Sequence, residues 1–208
     1  MENTFYDLKE LFQQSGCPIC ALKSSFEERY LDTLLYENVN DPKVRERIRS
    51  QNGFCQEHIQ LIFQSRPSVL GISIIYDDLL RHHLQTDEKE SKETVCPLCL
   101  AWKEKNRYIH TTLVKHWNDL KATYNTRLFF CPTHIKQYET DKIIYQDMNK
   151  LTKENLKKIG ADLSSFIKKY DYRAKKDSIT INEINSWQEV LEYFASRRLR
   201  NNRTHRPA

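Results

Sequence analysis

The sequence predicts an all-α protein built on a duplicated helical unit. Glycine is scarce, with four in 208 residues. Sandwiches, barrels and glycine-rich phosphate loops need backbone positions at positive φ, so they are disfavoured. Long stretches rich in Glu, Lys and Leu favour helix instead. The third observation is a short pattern of cysteine and histidine that the chain states twice.

All six cysteines fall into four short pairs, two of them completed by histidine: Cys17-Pro18-Ile19-Cys20, Cys55-x-x-His58, Cys96-x-x-Cys99 and Cys131-x-x-His134. A CPxC at a helix start presents a reactive thiolate in redox enzymes, but such enzymes have no need of a CxxH some thirty residues later and use a βαβ context. Three cysteines with one histidine form a standard ligand set for structural zinc. The metal reading therefore leads. Two zinc ions per chain are expected, with an iron–sulfur or thiol redox centre as the alternative.

The copies match beyond these residues. ERYLDTLLYENVND (28–41) aligns with NRYIHTTLVKHWND (106–119), and GFCQEHI (53–59) with FFCPTHI (129–135). A repeat of this kind implies a duplicated structural unit. Ligand pairing has two options. Sequential pairing gives Cys17, Cys20, Cys55 and His58, then Cys96, Cys99, Cys131 and His134. A cross-brace gives one all-cysteine site and one with two cysteines and two histidines. Duplication favours the sequential form, since each ancestral copy had to close its own site. The expected organisation is a first repeat over 1–84, a charged linker over 85–94, a second repeat over 95–140 and a basic helical segment over 141–208.

Each element has its own signal. Pro18 suits the first helical position, and Ile19, Leu22, Phe26, Tyr30 and Leu34 form a stripe. Asp41-Pro42 marks a second helix, which Gly53 is placed to end. A third helix starts at Cys55 and carries Ile59, Ile62 and Phe63, and Pro67-Ser68 breaks it. A fourth covers 69–84, with Val69, Ile72, Tyr76 and Leu80 spaced for burial. Leu98, Trp102, Ile109, Leu113 and His116 or Trp117 run along the long helix of the second copy. Helices are then expected near 140–150, over 152–172 and over 181–199. The last has a capping box, Thr180-x-x-Glu183, and a stripe of Ile184, Trp187, Leu191 and Phe194. Both CxxC pairs thus sit at helix N-termini, where the dipole favours thiolates.

CPICALKSSFEERYLDTLLYENVNDPKVRERIRSQNGFCQEH, followed by LGISIIYDDLL, resembles an uncharacterised prokaryotic family, a domain of unknown function with tandem CPxC…GFCxxH repeats. The resemblance is specific over 17–81 and looser over 96–134, where Phe130 precedes the cysteine without a glycine before it. It implies metal ligation and a helical architecture, and supplies no reaction.

Charge narrows the function classes. The net charge is +5. Residues 142–176 hold ten Lys or Arg against four acids, and residues 197–208 hold five Arg and no acid. Lys168, Lys169, Arg173, Lys175, Lys176, Arg197, Arg198 and Arg200 therefore form a candidate nucleic-acid surface, with another protein as the other partner class. The competing view is a solvated helix face. Asp77, Asp78, His82 and His83 share one helix and read as an exposed helix end rather than an acid–base pair. Glu27 and Glu28 read as solvated charge, and His110 and His116 as surface or packing residues. No nucleophile elbow, phosphate loop or dinucleotide fingerprint is present, so no small-molecule substrate is indicated and the balance tips away from an enzyme. No apolar run reaches the roughly 20 residues of a membrane span. The N-terminus lacks signal-peptide features, so a cytoplasmic, reduced setting is expected. The sequence points to a non-catalytic zinc-binding helical protein acting as a macromolecule-binding or scaffold module.

Overall fold

A computed structural model describes residues 2–65, 68–85, 95–170 and 178–199. Among them the protein is helical throughout, and an isolated bridge between Gly16 and Leu128 is the sole strand-like pairing. No described helix is long and apolar enough to cross a membrane. Ten α-helices follow in order: α1 Glu2–Phe12, α2 Pro18–Asp32, α3 Pro42–Ser50, α4 Gln56–Gln64, α5 Val69–Gln85, α6 Pro97–Lys115, α7 Trp117–Lys121, α8 Pro132–Lys136, α9 Lys142–Tyr170 and α10 Ile181–Ala195. A π-helical turn, Thr33–Glu37, extends α2. The expected starts at Pro18, Pro42, Val69 and Ile181 are all present. Of the linker expected over 85–94, Gln85 ends α5 and the remainder lies outside the described residues, as does Pro67.

The compact units do not follow the sequence repeats. One comprises Met1–Ser24 with Tyr108–Ala208, the other Ser25–Arg107. The division passes through α2 and through α6.

In the unit of residues 25–107, Asp41 caps α3 by accepting from the Lys43 N–H at 2.8 Å. Gly53, at φ +83°, lets its N–H reach the Ile48 carbonyl and turns the chain toward Cys55. Leu34, Leu35, Val39, Ile48 and Ile75 form one apolar cluster, and Leu31, Leu61, Ile62 and Leu98 pack around Cys96 in another. The expected stripe on α5 is displaced. Val69 and Leu80 are exposed, while Gly71 and Ile75 are buried. Gly71 lets α5 close on the Leu35 carbonyl, which a Cβ would meet at 2.3 Å. Asp78 serves α3 as the ion-pair partner of Arg49 at 2.7 Å, and Asp77 pairs with Arg81 one turn on. Their role is thus structural.

In the other unit, Phe12 meets Trp117 and Phe130 edge to face, and Trp117 and Phe130 lie tilted at 6.0 Å. Two helices expected over 140–172 are one. The seam near Leu151 and Thr152 contains no glycine or proline, and both side chains are buried. The Thr152 hydroxyl accepts from the Phe130 N–H at 2.9 Å, so this residue holds the segment before Cys131 instead of breaking the helix.

Helix α10 carries the predicted capping box at Thr180 and Glu183, but its orientation reverses the expected one. Glu183, Ser186, Glu189 and Glu192 are buried, whereas Ile184, Trp187, Leu191 and Phe194 are exposed. The reason is ion pairing. Arg127 clamps Glu189 of α10 and Asp162 of α9. Lys169 of α9 holds Glu183 at 2.9 Å. Arg198 lies 3.5 Å from Glu192 and donates to the Ser15 carbonyl. Buried ions need such partners, and removing one leaves a costly unpaired charge.

This docking gives a pH dependence. Hydrogen bonds from Ser165, Lys169 and the Thr180 N–H hold the Glu183 carboxyl down to about 2, from an ordinary value of 4.5. A depressed carboxylate stabilises the fold above its unfolded value and loses that contribution as pH falls toward its folded one. Urea midpoints of wild type and Glu183→Gln should therefore differ at pH 7 and converge as pH falls from about 4.5 toward 2. A constant gap across that window would rule this out.

Candidate metal centres

Each ligand pair stands at the beginning of a helix. Cys17 and Cys96 precede Pro18 and Pro97, the first residues of α2 and α6. Cys55 and Cys131 cap α4 and α8 with nearly equal backbone angles, φ −70° in both and ψ 165° and 158°. All four carbonyls accept the first helical bond, from Ala21, Ile59, Leu100 and Ile135. The second residue of each pair then projects from the first turn beside the first. Gly16, at φ +93°, sets the entry to Cys17, and its N–H and carbonyl bridge to Arg127 and Phe129.

The four pairs come together as two quartets, and neither is an expected one. Cys17 and Cys20 join Cys131 and His134, while Cys55 and His58 join Cys96 and Cys99. Each quartet takes its CxxC from one repeat and its CxxH from the other. The sequential and cross-brace pairings are both corrected by this, although the three-cysteine, one-histidine composition is the expected one. The physical reason lies in the division of the chain: α2 carries Cys17 and Cys20 in the unit that holds α8, and α6 carries Cys96 and Cys99 in the unit that holds α4.

Within each quartet the ligand atoms lie within 4.8 Å of one another. In the first, His134 Nδ1 is 3.0 Å from Cys131 Sγ, 3.4 Å from Cys20 Sγ and 3.5 Å from Cys17 Sγ, and Cys20 and Cys131 are 3.6 Å apart. In the second, His58 Nδ1 is 3.2, 3.3 and 3.5 Å from Cys55, Cys96 and Cys99, and Cys55 and Cys99 are 3.8 Å apart. A tetrahedral ion bonded at about 2.3 Å to sulfur and about 2.0 Å to nitrogen has edges of about 3.8 Å between sulfurs and about 3.5 Å from sulfur to nitrogen. Both quartets fit that tetrahedron. The sulfur separations are far beyond the roughly 2.05 Å of a disulfide.

The titratable groups of each quartet shift one another strongly. Burial opposes a charged His58, yet hydrogen bonds with Cys96 and Glu27 push it up to about 10. His134 rises to about 9 against burial, through Cys131 and Cys17. Burial works against the Cys96 thiolate, but His58 and the N–H groups of Cys55 and Cys99 bring it down to about 6. Burial and its anionic neighbours push Cys99 up to about 12. In the other quartet, hydrogen bonds from Cys17 and Cys20 lower Cys131, while those with Cys131 and Cys17 raise Cys20. Each quartet thus holds thiolate charge against protons that a metal would displace.

The quartets differ in their surroundings. Cys17, Cys20, Cys131 and His134 are all buried, whereas Cys55 and Cys99 are half-buried. His58 Nε2 lies 3.3 Å from Glu27 Oε1, and Glu27 is 2 % exposed. Glu27 was expected in solvent, so its burial is a correction. Its signal was its register, since it shares a row with Leu31 and Leu34 at i+4 and i+7. A carboxylate on the remote nitrogen fixes the ring and leaves Nδ1 to bind a metal. His110 stacks on Tyr138, and His116 precedes α7, so both are packing residues as expected.

Of the candidate basic residues, four lie among the described ones. Lys169 donates to the Ser178 carbonyl and to Glu183, and Arg198 turns to Ser15 and Glu192. Lys168 is exposed and Arg197 half-buried. Arg173, Lys175, Lys176 and Arg200 lie outside the described residues.

A family model described as a family of unknown function, DUF6062, matches residues 5–95 and again residues 81–197. The chain is also 28 % identical over 200 residues to an "Uncharacterized 23.9 kDa protein in xynA 3'region" of Caldicellulosiruptor sp. strain Rt8B.4, covering 89 % of this chain and 98 % of that one. No solved structure matches. With both of its halves matched by the family model, the chain belongs to DUF6062, a family of unknown function.

Proposed function

We propose that each quartet binds one zinc ion in a closed structural site, and that the protein is a non-catalytic helical scaffold that presents a binding surface. The observation that carries this reading is the fit of both quartets to a four-ligand tetrahedron. Four protein ligands leave no open position for substrate or water, so the ion's chemistry is to hold the chain. It does so over long distances: Cys17 and His134 are 117 positions apart, and Cys99 and His58 are 41 apart. The inward pairing of Lys169 and Arg198 takes two cations from the nucleic-acid reading and favours a protein partner.

Metal analysis of anaerobically purified protein tests this first. The expected result is two zinc per chain and no visible absorbance. Iron with visible colour, or no metal with reactive thiols, would replace zinc by a redox centre.

The nested pairing is tested by Cys131→Ser. The variant should keep one tightly bound zinc and lose amide-exchange protection in residues 17–24, remote in sequence, while residues 55–64 stay protected. Loss of protection at 96–100 in place of 17–24 would restore sequential pairing.

Glu27→Gln should weaken zinc in the Cys55, His58, Cys96 and Cys99 site by about tenfold or more while sparing the other. Equal release from both sites under chelator competition would remove Glu27 from this role.

A further inference from the structure

The reversed orientation of α10 leaves an apolar row facing outward. Ile181, Ile184, Trp187, Leu191 and Phe194 are 68, 43, 40, 50 and 75 % exposed. Their spacings of three and four residues put them on one stripe. A helix normally buries such a stripe and exposes its charges. Here the three acids of α10 are buried against Lys169, Arg127 and Arg198, and the helix has no other charged residue.

We infer that this stripe is a homodimer seam in which two copies of α10 pair antiparallel with Trp187 near the two-fold axis. Trp187 lies at the centre of the row. Ile184 is three residues before it and Leu191 four after; Ile181 is six before and Phe194 seven after. An antiparallel partner therefore sets Ile184 against Leu191 and Ile181 against Phe194. The row is self-complementary, as a two-fold interface requires.

Charge favours the same occupant. The outward face of α10 itself carries no charge, with Asn182, Asn185 and Gln188 at its flanks. A membrane-surface helix carries Lys or Arg on its polar side, and α10 has none. The exposed row offers on the order of 500 Å² per copy, or about 1,000 Å² for the pair, near the lower edge of specific interfaces. The expected assembly is thus a reversible dimer in the micromolar range, not an obligate one. This inference gives the scaffold reading its partner and rests on that reading for nothing else.

Sedimentation velocity on the full-length, metal-loaded protein over about 1–200 µM tests it. The expected result is a monomer–dimer equilibrium. Ile181→Lys and Phe194→Glu, at the two most exposed positions of the row, should each raise the dissociation constant by about tenfold or more. Helical content and zinc content, measured on the same samples, should not change. Combining both substitutions in one chain should restore the dimer, because each new lysine then faces a new glutamate across the axis. Wild type that stays monomeric throughout overturns the seam, as does a dimer indifferent to both single substitutions. Monomeric wild type that floats with phosphatidylserine vesicles would assign the face to lipid and equally overturn it. A double variant that stays as weak as the single ones overturns the antiparallel register. A monomer that retains two zinc ions would sink the seam and leave the metal reading standing, and a metal-free dimer would do the reverse.

Discussion

Three sulfurs and an imidazole nitrogen lie within 4.8 Å of one another in each quartet, and any thiolate among them needs positive charge beside it. Protons supply it in part, which is why His58 and His134 are pushed up and Cys96 and Cys131 down. A divalent ion supplies it fully and satisfies all four donors at once. Every other feature of these units stands in some relation to that demand. The helix N-termini turn their positive ends to the sulfurs. The cluster of Leu31, Leu61, Ile62 and Leu98 packs around Cys96, with Cys55 and Cys99 against it.

Metal at the two quartets, as proposed, would add to the apolar clusters rather than replace them. The chain is 29 % charged, and each unit is small. Closing a long loop costs entropy that grows only slowly with its length. A ligand set spanning more than a hundred positions therefore constrains far more of the chain than a compact finger does, at little extra entropic cost. The ion pairs of α10 work on the same principle with weaker bonds. Arg127 joins the segment before Cys131 to both α9 and α10, so the docking of the last helix is tied to the approach to one quartet.

The ligands, the caps at Asp41 and Thr180 and the helical class were legible because local chemistry decides them. Pairing was not. The two CxxC motifs are nearly equivalent, as are the two CxxH motifs, so spacing alone cannot say which joins which. Where α2 and α6 lead the chain decides it, and that is a tertiary matter. Periodicity located the apolar row of α10 correctly and mistook its direction, because three buried acids with cationic partners outweighed it. Glu27 was misread for a related reason: a carboxylate in an apolar row looks solvated until its histidine partner, 31 positions away, is in place. The two helices expected near 140–150 and over 152–172 are one, with Thr152 buried and hydrogen-bonded at the seam.

The nesting of one quartet inside the other sets an order of events during synthesis. The chain leaves the ribosome N-terminus first, so Cys17, Cys20, Cys55 and His58 emerge together well before any native partner of the first pair. The earliest complete ligand set is therefore a non-native one. His134 follows Cys20 by 114 positions. At about 5–20 residues per second that is a delay of roughly 6 to 23 s. Under the proposed metal ligation, an ion captured in that interval would sit in a non-native set and would have to be released before either quartet closed.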